Sequence, residues 1–368
     1  LKEMEKAVQK EWAEELVNSW RKAGWWELPK KLGELISPVV GAATGQIIVS
    51  DSTSLNLYKS VTSALNLRQG RNIIIAEADC FPTDLYVLEG ITSSNKKIKR
   101  HYFEKDEKPF EELLNEQVAV VVFSHVNYRT GELLQIDELV RKTHEVGALF
   151  VLDVCHSVGV LPIHLDLWDV DFAVGCTYKY LNGGPGSPAF LYVAEKHHDI
   201  AVNPLPGWWS HARPFAFEKE FQASEGIQRF QTSTQPILSL RGLQAGLEIA
   251  KEADIQLVRN KSQQLTQLFI DLVEKLCKKY NLTLKTPHNP EKRGSQVALH
   301  FENGYSVIQA LIKRKIIADY REPCIMRFGF APLYIRFTDV WDTVEALTYI
   351  LKTREWRKEI FRREHEVT

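Results

Sequence analysis

Between Val170 and Gly186 the chain reads VDFAVGCTYKYLNGGPG. A short apolar run, Phe172-Ala173-Val174-Gly175, stops at Thr177-Tyr178-Lys179, and a turn carrying Gly183, Gly184, Pro185 and Gly186 follows. A lysine at a strand tip ahead of a glycine-rich turn suits one that must reach a bound carbonyl compound, because glycines let the backbone crowd close to a ligand. Pyridoxal phosphate (PLP), which such a lysine joins as a Schiff base, is the cofactor this pattern points to. The plainer reading is a surface lysine in a loop, and the pattern alone does not exclude it.

Other residues gain meaning beside that lysine. Asp153 follows the apolar run Leu149–Leu152. A carboxylate there could keep a pyridine nitrogen protonated, so that the ring absorbs a carbanion's electrons, or it could simply cap the next helix. His156 lies three residues further on. Asp51-Ser52-Thr53-Ser54 precedes Leu55, Leu57, Tyr58, Val61 and Leu65 at helical spacing. Those hydroxyls are either ordinary N-caps or, with the free backbone N–H groups and the helix dipole, a phosphate cradle using Thr53 and Ser54. Phe81 could stack on a ring face, and Arg327 could make the bidentate contact that an amino-acid carboxylate needs. Each is weak singly. In chain order, hydroxyl-rich helix start, aromatic, Asp-x-x-His, Lys and Arg form a specific set.

The elements that must position these residues are legible as apolar runs. Asn72–Ala78 leads into Asp79-Cys80-Phe81-Pro82-Thr83-Asp84, Val118–Phe123 into Ser124-His125, Leu149–Leu152 into Asp153, and Asp171–Cys176 into Tyr178-Lys179. Near-continuous Val/Ile/Leu/Phe runs separated by helical patterns predict parallel strands buried on both faces, with ligands at their carboxyl ends. Further strands are expected at Ile47–Val49 and over Ser187–Val193. Met4, Val8, Trp12, Leu16 and Trp20 predict one amphipathic helix stopped at Gly24. A long helical stretch over 237–280, broken near Ala253, precedes a smaller α+β region with a strand near 296–301, a helix from Tyr305, Arg321 and Arg327 flanking a loop, and a closing helix over Asp339–Leu351.

Composition narrows the class. At 368 residues the chain suggests about two domains. A formal charge of −1 with 25% charged residues favours neither nucleic acid nor an acidic membrane surface. Cys80, Cys155, Cys176, Cys277 and Cys324 form no CxxC pair, which argues against a disulfide framework or a zinc site and fits a reducing compartment. With no apolar run of membrane-spanning length and no secretory signal, the expectation is a soluble cytoplasmic protein. LKEMEKAVQKEW opens directly in a helical pattern, so part of the native N-terminus is expected to lie upstream.

SDSTSLNLYK, FPTD, LDVCHSVG, CTYKYLNGGPG, GWWSH and REPCIMRFGFAPLY, in that order and across nearly the whole chain, resemble kynureninase, a PLP enzyme. The usual Asp-Leu-Ala-His stands here as Asp153-Val154-Cys155-His156, and a stretch rich in Asp, Gly and Asn ahead of the first helix is absent. The resemblance implies an α/β protein of the PLP-dependent transferase fold type I. Its large domain, with a mostly parallel central sheet flanked by helices, is expected over 40–240, and a smaller α+β domain over 1–39 with 241–368. It further implies that Lys179 carries the cofactor, that Asp153 pairs with the pyridine nitrogen, and that Thr53, Ser54 and Tyr178 hold the phosphate. Phe81 stacks on the ring, while Thr83, Asp84, Ser124 and His156 complete the pocket. Trp208 and Thr234 reach the phosphate from the second subunit of a homodimer, and Arg327, with Arg321 second, binds the substrate carboxylate. The implied reaction is hydrolysis of L-kynurenine to anthranilate and L-alanine, with Lys179, Tyr178 and Asp153 catalytic and 3-hydroxy-L-kynurenine a further substrate. No metal is expected.

A cysteine desulfurase or selenocysteine lyase of the same fold is the nearest rival. It would need a reactive Cys near the carboxylate-binding Arg, and Cys324 lies three residues before Arg327. Tyr178, where such enzymes carry His, argues against it. A dinucleotide-binding protein is disfavoured because no GxGxxG follows the first strand.

Overall fold

The computed structural model describes residues 1–362. Contacts divide the described residues into two compact units, Leu1–His125 with Gln135–Ala253, and Val126–Leu134 with 254–362.

The first unit opens with a correction. Instead of one helix to Gly24, α1 (Lys2–Lys6) runs into a π-turn over Ala7–Trp12, and Leu16 takes a left-handed φ of 51° before the short α2 (Ser19–Lys22). The four-residue spacing loses register at this break, and Trp12 and Leu16 stand 56% and 60% exposed. The segment buries Glu11 instead, which accepts from Trp25 Nε1 at 2.7 Å and pairs with Arg241 at 2.9 Å. Gly24, at φ 71°, does lie at its end.

In chain order this unit then forms α3 (Leu28–Ile36), β1 (Ile47–Val49), α4 (Thr53–Leu67), β2 (Ile73–Glu77), α5 (Pro82–Ser94), β3 (Lys99–Phe103), β4 (Val118–Ser124), α6 (Ile136–Glu145), β5 (Leu149–Asp153), β6 (Phe172–Gly175), β7 (Phe190–Val193) and α7 (Ile237–Glu252). The seven strands lie in the order β1-β7-β6-β5-β4-β2-β3. β3, β2, β4, β5 and β6 run parallel, and β7 is antiparallel to both β6 and β1. Their apolar runs are buried on both faces, as helix-covered strands require. Leu57 and Val61 of α4 and Leu88 of α5 pack on Ile74, Val120, Val151 and Val174 of the sheet. Leu55, expected on that apolar face, is 44% exposed. β3 (KRHYF) was not foreseen, because an edge strand carrying charge has no continuous apolar run to betray it. Residues 1–39, expected with the C-terminal part, contact this unit: α3 packs on β1, and α1 and α3 pack on α7. Gly33 lies so close to β1 that a Cβ there would meet the Ile47 carbonyl oxygen at 2.1 Å.

The second unit begins where the long helical stretch breaks. The Asp254 carboxylate caps α8 (Ile255–Cys277) by accepting from the Gln256 and Leu257 N–H groups. β8 (Thr283–Leu284), β9 (Gln296–His300), α9 (Gly304–Lys313), β10 (Asp319–Arg321), β11 (Ile325–Gly329) and α10 (Phe337–Thr353) follow. The strands form an antiparallel sheet in the order β10-β11-β9-β8. Phe269, Val273, Leu299, Ile308, Phe328 and Leu347 share its core.

Candidate active site

The parallel register levels the strand ends that carry the polar residues. Ser124 pairs with Asp153, and Asp153 with Val174. The His125 N–H then donates to the Asp153 carbonyl at 2.8 Å, and the Val154 N–H to the Val174 carbonyl at 2.9 Å. Beyond β6 the chain turns through Thr177, whose hydroxyl donates to the Pro188 carbonyl and accepts from the Ser187 hydroxyl at 2.6 Å. Gly184 and Gly186 take φ values of 85° and 71°, which an L side chain rarely adopts, so this turn returns the chain to β7 only with glycine there. The turn sets Lys179 half-buried with its Nζ 2.8 Å from His156 Nε2. Strand tip and Asp-x-x-His segment are thus joined, as the sequence order implied.

Asp153 is buried, and its Oδ1 accepts from the Cys155 N–H at 2.6 Å. Beside it lies Asp84, from the first turn of α5 and only 3% exposed. Burial, then the Asp153 charge and the hydrogen bond between the two carboxyls, push Asp84 well above the ordinary carboxylate range, with Lys179 opposing. Burial, followed by the nearby Cys176 and Cys155 thiols, likewise raises the Tyr178 hydroxyl, which stays a proton donor across the neutral range.

At the other edge Ser52 is the true N-cap of α4, its Oγ accepting from the Leu55 N–H at 3.3 Å. Thr53 and Ser54 occupy the first helical turn, which contains no acidic side chain. Thr53 Oγ1 lies 3.7 Å from Cys155 Sγ, which brings the helix start to the Asp153 segment. Phe81 is 42% exposed at the N-cap of α5, and Thr83 is half-buried. Ser124 is buried at the end of β4. Trp208 is 41% exposed and stacks on Trp209 with ring centroids 6.3 Å apart, while Thr234 is exposed.

Arg327 and Arg321 belong to the second unit. The Arg327 guanidinium donates from Nε to Asp319 Oδ1 at 2.9 Å, from Nη2 to Asp319 Oδ2 at 2.7 Å, and from Nη1 to the Tyr128 carbonyl at 2.6 Å. Three of its five N–H donors are thus committed within the unit, and one edge of the fork is clasped by a carboxylate. Arg321 is half-buried and touches the same Asp319 at 3.4 Å.

Comparison with known proteins settles the family. A family model described as the kynureninase C-terminal domain matches residues 258–347. The kynureninase of Pseudomonas fluorescens is 43% identical over 365 residues, covering 98% of this chain and 88% of its own length. That of Burkholderia pseudomallei (strain 1106a) is 42% identical over 368 residues, covering 99% of this chain and 88% of its own. The chain belongs to the kynureninase family. Among solved structures, a cysteine desulfurase from Thermococcus onnurineus NA1 superposes with a TM-score of 0.79 at 20% identity, covering 96% of this chain and 91% of its own. A C-DES variant with glycine covalently linked to its PLP cofactor gives 0.81 at 15% identity, covering 94% of this chain and 92% of its own. At those identities the likeness establishes the fold, the PLP-dependent type I architecture.

The residues present fit PLP. A primary amine stands at a strand tip, a buried acid pair can face a pyridine nitrogen, and a helix start without acidic residues offers N–H groups to a phosphate dianion. Two features of this kynureninase-family site escaped the sequence. One is the upward shift of the Asp84 carboxyl, which depends on burial against Asp153. The other is Lys59, fully buried on α4, whose Nζ donates to Asp51 Oδ2 at 2.8 Å and to the Phe230 carbonyl at 2.7 Å. Asp51 also accepts from the Thr232 hydroxyl at 2.9 Å, so the strand end before the helix is tied to the loop that carries Thr234. The one available signal was a lysine on the apolar face of a helix.

Proposed function

We propose that the chain hydrolyses the Cβ–Cγ bond of L-kynurenine, with 3-hydroxy-L-kynurenine a second substrate, releasing anthranilate or 3-hydroxyanthranilate and L-alanine in tryptophan catabolism, upstream of NAD biosynthesis. The observation that supports it is Lys179 Nζ at 2.8 Å from His156 Nε2, at the rim bearing the Asp84–Asp153 pair, in a member of this family.

PLP, when bound, supplies the electron sink for charge developed at the substrate Cα. Lys179 removes and returns the Cα proton, with His156 orienting its amine. Asp153 holds a proton at the pyridine nitrogen, and the buried Asp84 beside it positions the Asp153 carboxyl. Thr53, Ser54 and Tyr178 receive the phosphate, with Trp208 and Thr234 contributed by the partner in a homodimer. The surface exposure of both supports that reading. Arg327 binds the substrate carboxylate, with Arg321 the second candidate. Water adds to the aryl ketone, the Cβ–Cγ bond breaks, and the Tyr178 hydroxyl protonates the alanine fragment. The five free cysteines support a reducing compartment such as the cytoplasm.

The PLP-loaded protein should release fluorescent anthranilate from L-kynurenine, and Lys179→Ala should abolish it together with the visible absorbance of the lysine-bound cofactor. Persulfide appearing on Cys324 with L-cysteine, and no anthranilate, would overturn the reading in favour of desulfuration.

A further inference from the structure

Segment 230–235 is held against the start of α4 by Asp51 and Lys59. Asp51 Oδ1 accepts from the Thr232 hydroxyl at 2.9 Å, and the Asp51 N–H donates to Gln235 Oε1 at 3.2 Å. Lys59 Nζ donates to the Phe230 carbonyl at 2.7 Å, and Gln235 Nε2 folds back to the Ser233 carbonyl at 2.9 Å. Residues 230, 232 and 235 are thus pinned, while Ser233 and Thr234 between them are exposed. The turn before Trp208 hangs on the same arch. Gly207 lies so close to Thr232 that a Cβ there would meet the Thr232 carbonyl oxygen at 1.9 Å, and Asn203 Nδ2 donates to the Gln231 carbonyl at 3.2 Å.

The Asp51 carboxylate is itself fixed. Its Oδ2 takes the fully buried Lys59 Nζ at 2.8 Å and the Ser50 hydroxyl at 2.6 Å, which leaves Oδ1 to Thr232. Lys59 also offsets a negative charge only two residues ahead of Thr53, where a phosphate dianion would otherwise be repelled. The backbone of Asp51 sits at a left-handed φ of 55°, which Asp adopts more readily than most residues.

We propose that Asp51 is a positioning residue for the neighbouring subunit's site, holding the arch 230–235 and the Gly207–Trp208 turn in the pose that they present across the homodimer. In its own subunit the start of α4 keeps its shape through Ser52, whose Oγ accepts from the Leu55 N–H without help from the arch. Loss of the Asp51–Thr232 bond therefore loosens what the subunit gives its partner more than what it keeps.

The inference rests on the homodimer of the proposed function, but it is read by PLP affinity without kynurenine, so it and the hydrolytic reading can fail separately. Thr232→Val removes the donor and keeps the side-chain shape. In the Thr232→Val homodimer the apparent Kd for PLP, followed by the absorbance of the lysine-bound cofactor, should rise about ten-fold, the effect of losing a hydrogen bond to a charged group, and Thr232→Ser should restore it. Differently tagged subunits then give heterodimers with a single Lys179. Thr232→Val paired with Lys179→Ala supplies that lysine's site with an intact arch, so PLP should bind as in the parent. The double variant Lys179→Ala/Thr232→Val paired with a parent subunit supplies a loosened arch, so the ten-fold loss should return. The opposite pattern, equal losses in both heterodimers, or an unchanged Thr232→Val homodimer would overturn the proposal. Trp208→Ala in the same pairings separates the causes. If its loss stays within its own subunit, the homodimer reading falls together with the proposal. If it crosses to the partner and that of Thr232→Val does not, only the role of Asp51 falls.

Discussion

At the scale of single residues the site divides into groups defined by charge state. Burial and the neighbouring Asp153 push Asp84 well above the ordinary carboxylate range, so an amide in its place keeps a donor and the shape. Asp84→Asn should therefore keep kcat within about ten-fold of the parent, whereas Asp153→Asn, which removes the charge proposed to face the pyridine nitrogen, should slow Cα deprotonation by orders of magnitude. Solvent deuterium exchange at Cα reads this step. Equal losses in the two variants would show that Asp84 works ionised. Arg327 differs, because one edge of its fork is already held by Asp319 at 2.7 and 2.9 Å. Truncating one member of a buried charged pair costs about 2–5 kcal/mol, so Arg327→Ala should lower kcat/KM by roughly two to three orders of magnitude with PLP content unchanged. Arg327→Lys should recover little, since a point charge cannot reproduce two parallel hydrogen bonds. Asp319→Ala should raise KM more than it lowers kcat, because Asp319 only orients the fork. A loss confined to Arg321→Ala would move the carboxylate site there.

At the scale of elements, the N-terminus of α4 is set by a buried ion pair rather than by its cap alone. Burial opposes the Asp51 charge, but Lys59 at 2.8 Å, with hydrogen bonds from Ser50 and Thr232, outweighs it and holds Asp51 below the ordinary carboxylate range. Lys59→Met leaves that carboxylate uncompensated in the interior. Removing one partner of a buried pair costs about 3–5 kcal/mol, so urea unfolding should shift to markedly lower midpoint. PLP should also bind more weakly, because the Asp51–Thr232 tie beside the first turn of α4, proposed to receive the phosphate, loosens with it. A variant as stable as the parent would mean that the pair contributes no net stability.

The whole sheet has a second anchor at the opposite ends of its strands. Asp171, at the start of β6, accepts from His144 Nε2 at 2.8 Å on α6, the Phe150 N–H at 2.8 Å on β5, and His197 Nε2 at 2.7 Å beyond β7, with Lys196 at 3.2 Å. Burial alone would raise this carboxyl, but the histidine hydrogen bonds and the Lys196 charge hold it far below the ordinary range. A depressed folded pKa contributes stability that is complete above the unfolded value near 3.9 and is lost as pH falls through and below it. The unfolding free energies of the parent and Asp171→Asn should thus differ most above about pH 5, begin to narrow below about pH 4, and converge only well below pH 3. A constant difference across that window would assign the loss to packing rather than ionisation.

Local pattern fixed what depends on burial alone. The runs at 72–78, 118–123 and 149–152 became β2, β4 and β5 because strands buried on both faces must be continuously apolar. The polar residues at their ends were readable as one rim for the same reason. The break at Ala253 was equally legible, since Asp254 caps the helix that follows through its own side chain. Tertiary structure decided whatever depends on which distant residues meet. The stripe from Met4 to Trp20 had helical spacing but no partner surface along its whole length, so the chain bent at Leu16 and buried Glu11 against Trp25 and Arg241. Lys59 found Asp51, the Asp84 carboxyl was pushed upward by burial beside Asp153, and Arg327 was clasped by Asp319 across a hairpin. Residue types supply the charges, but the low dielectric and fixed distances that set their values exist only once strands from remote parts of the chain lie side by side.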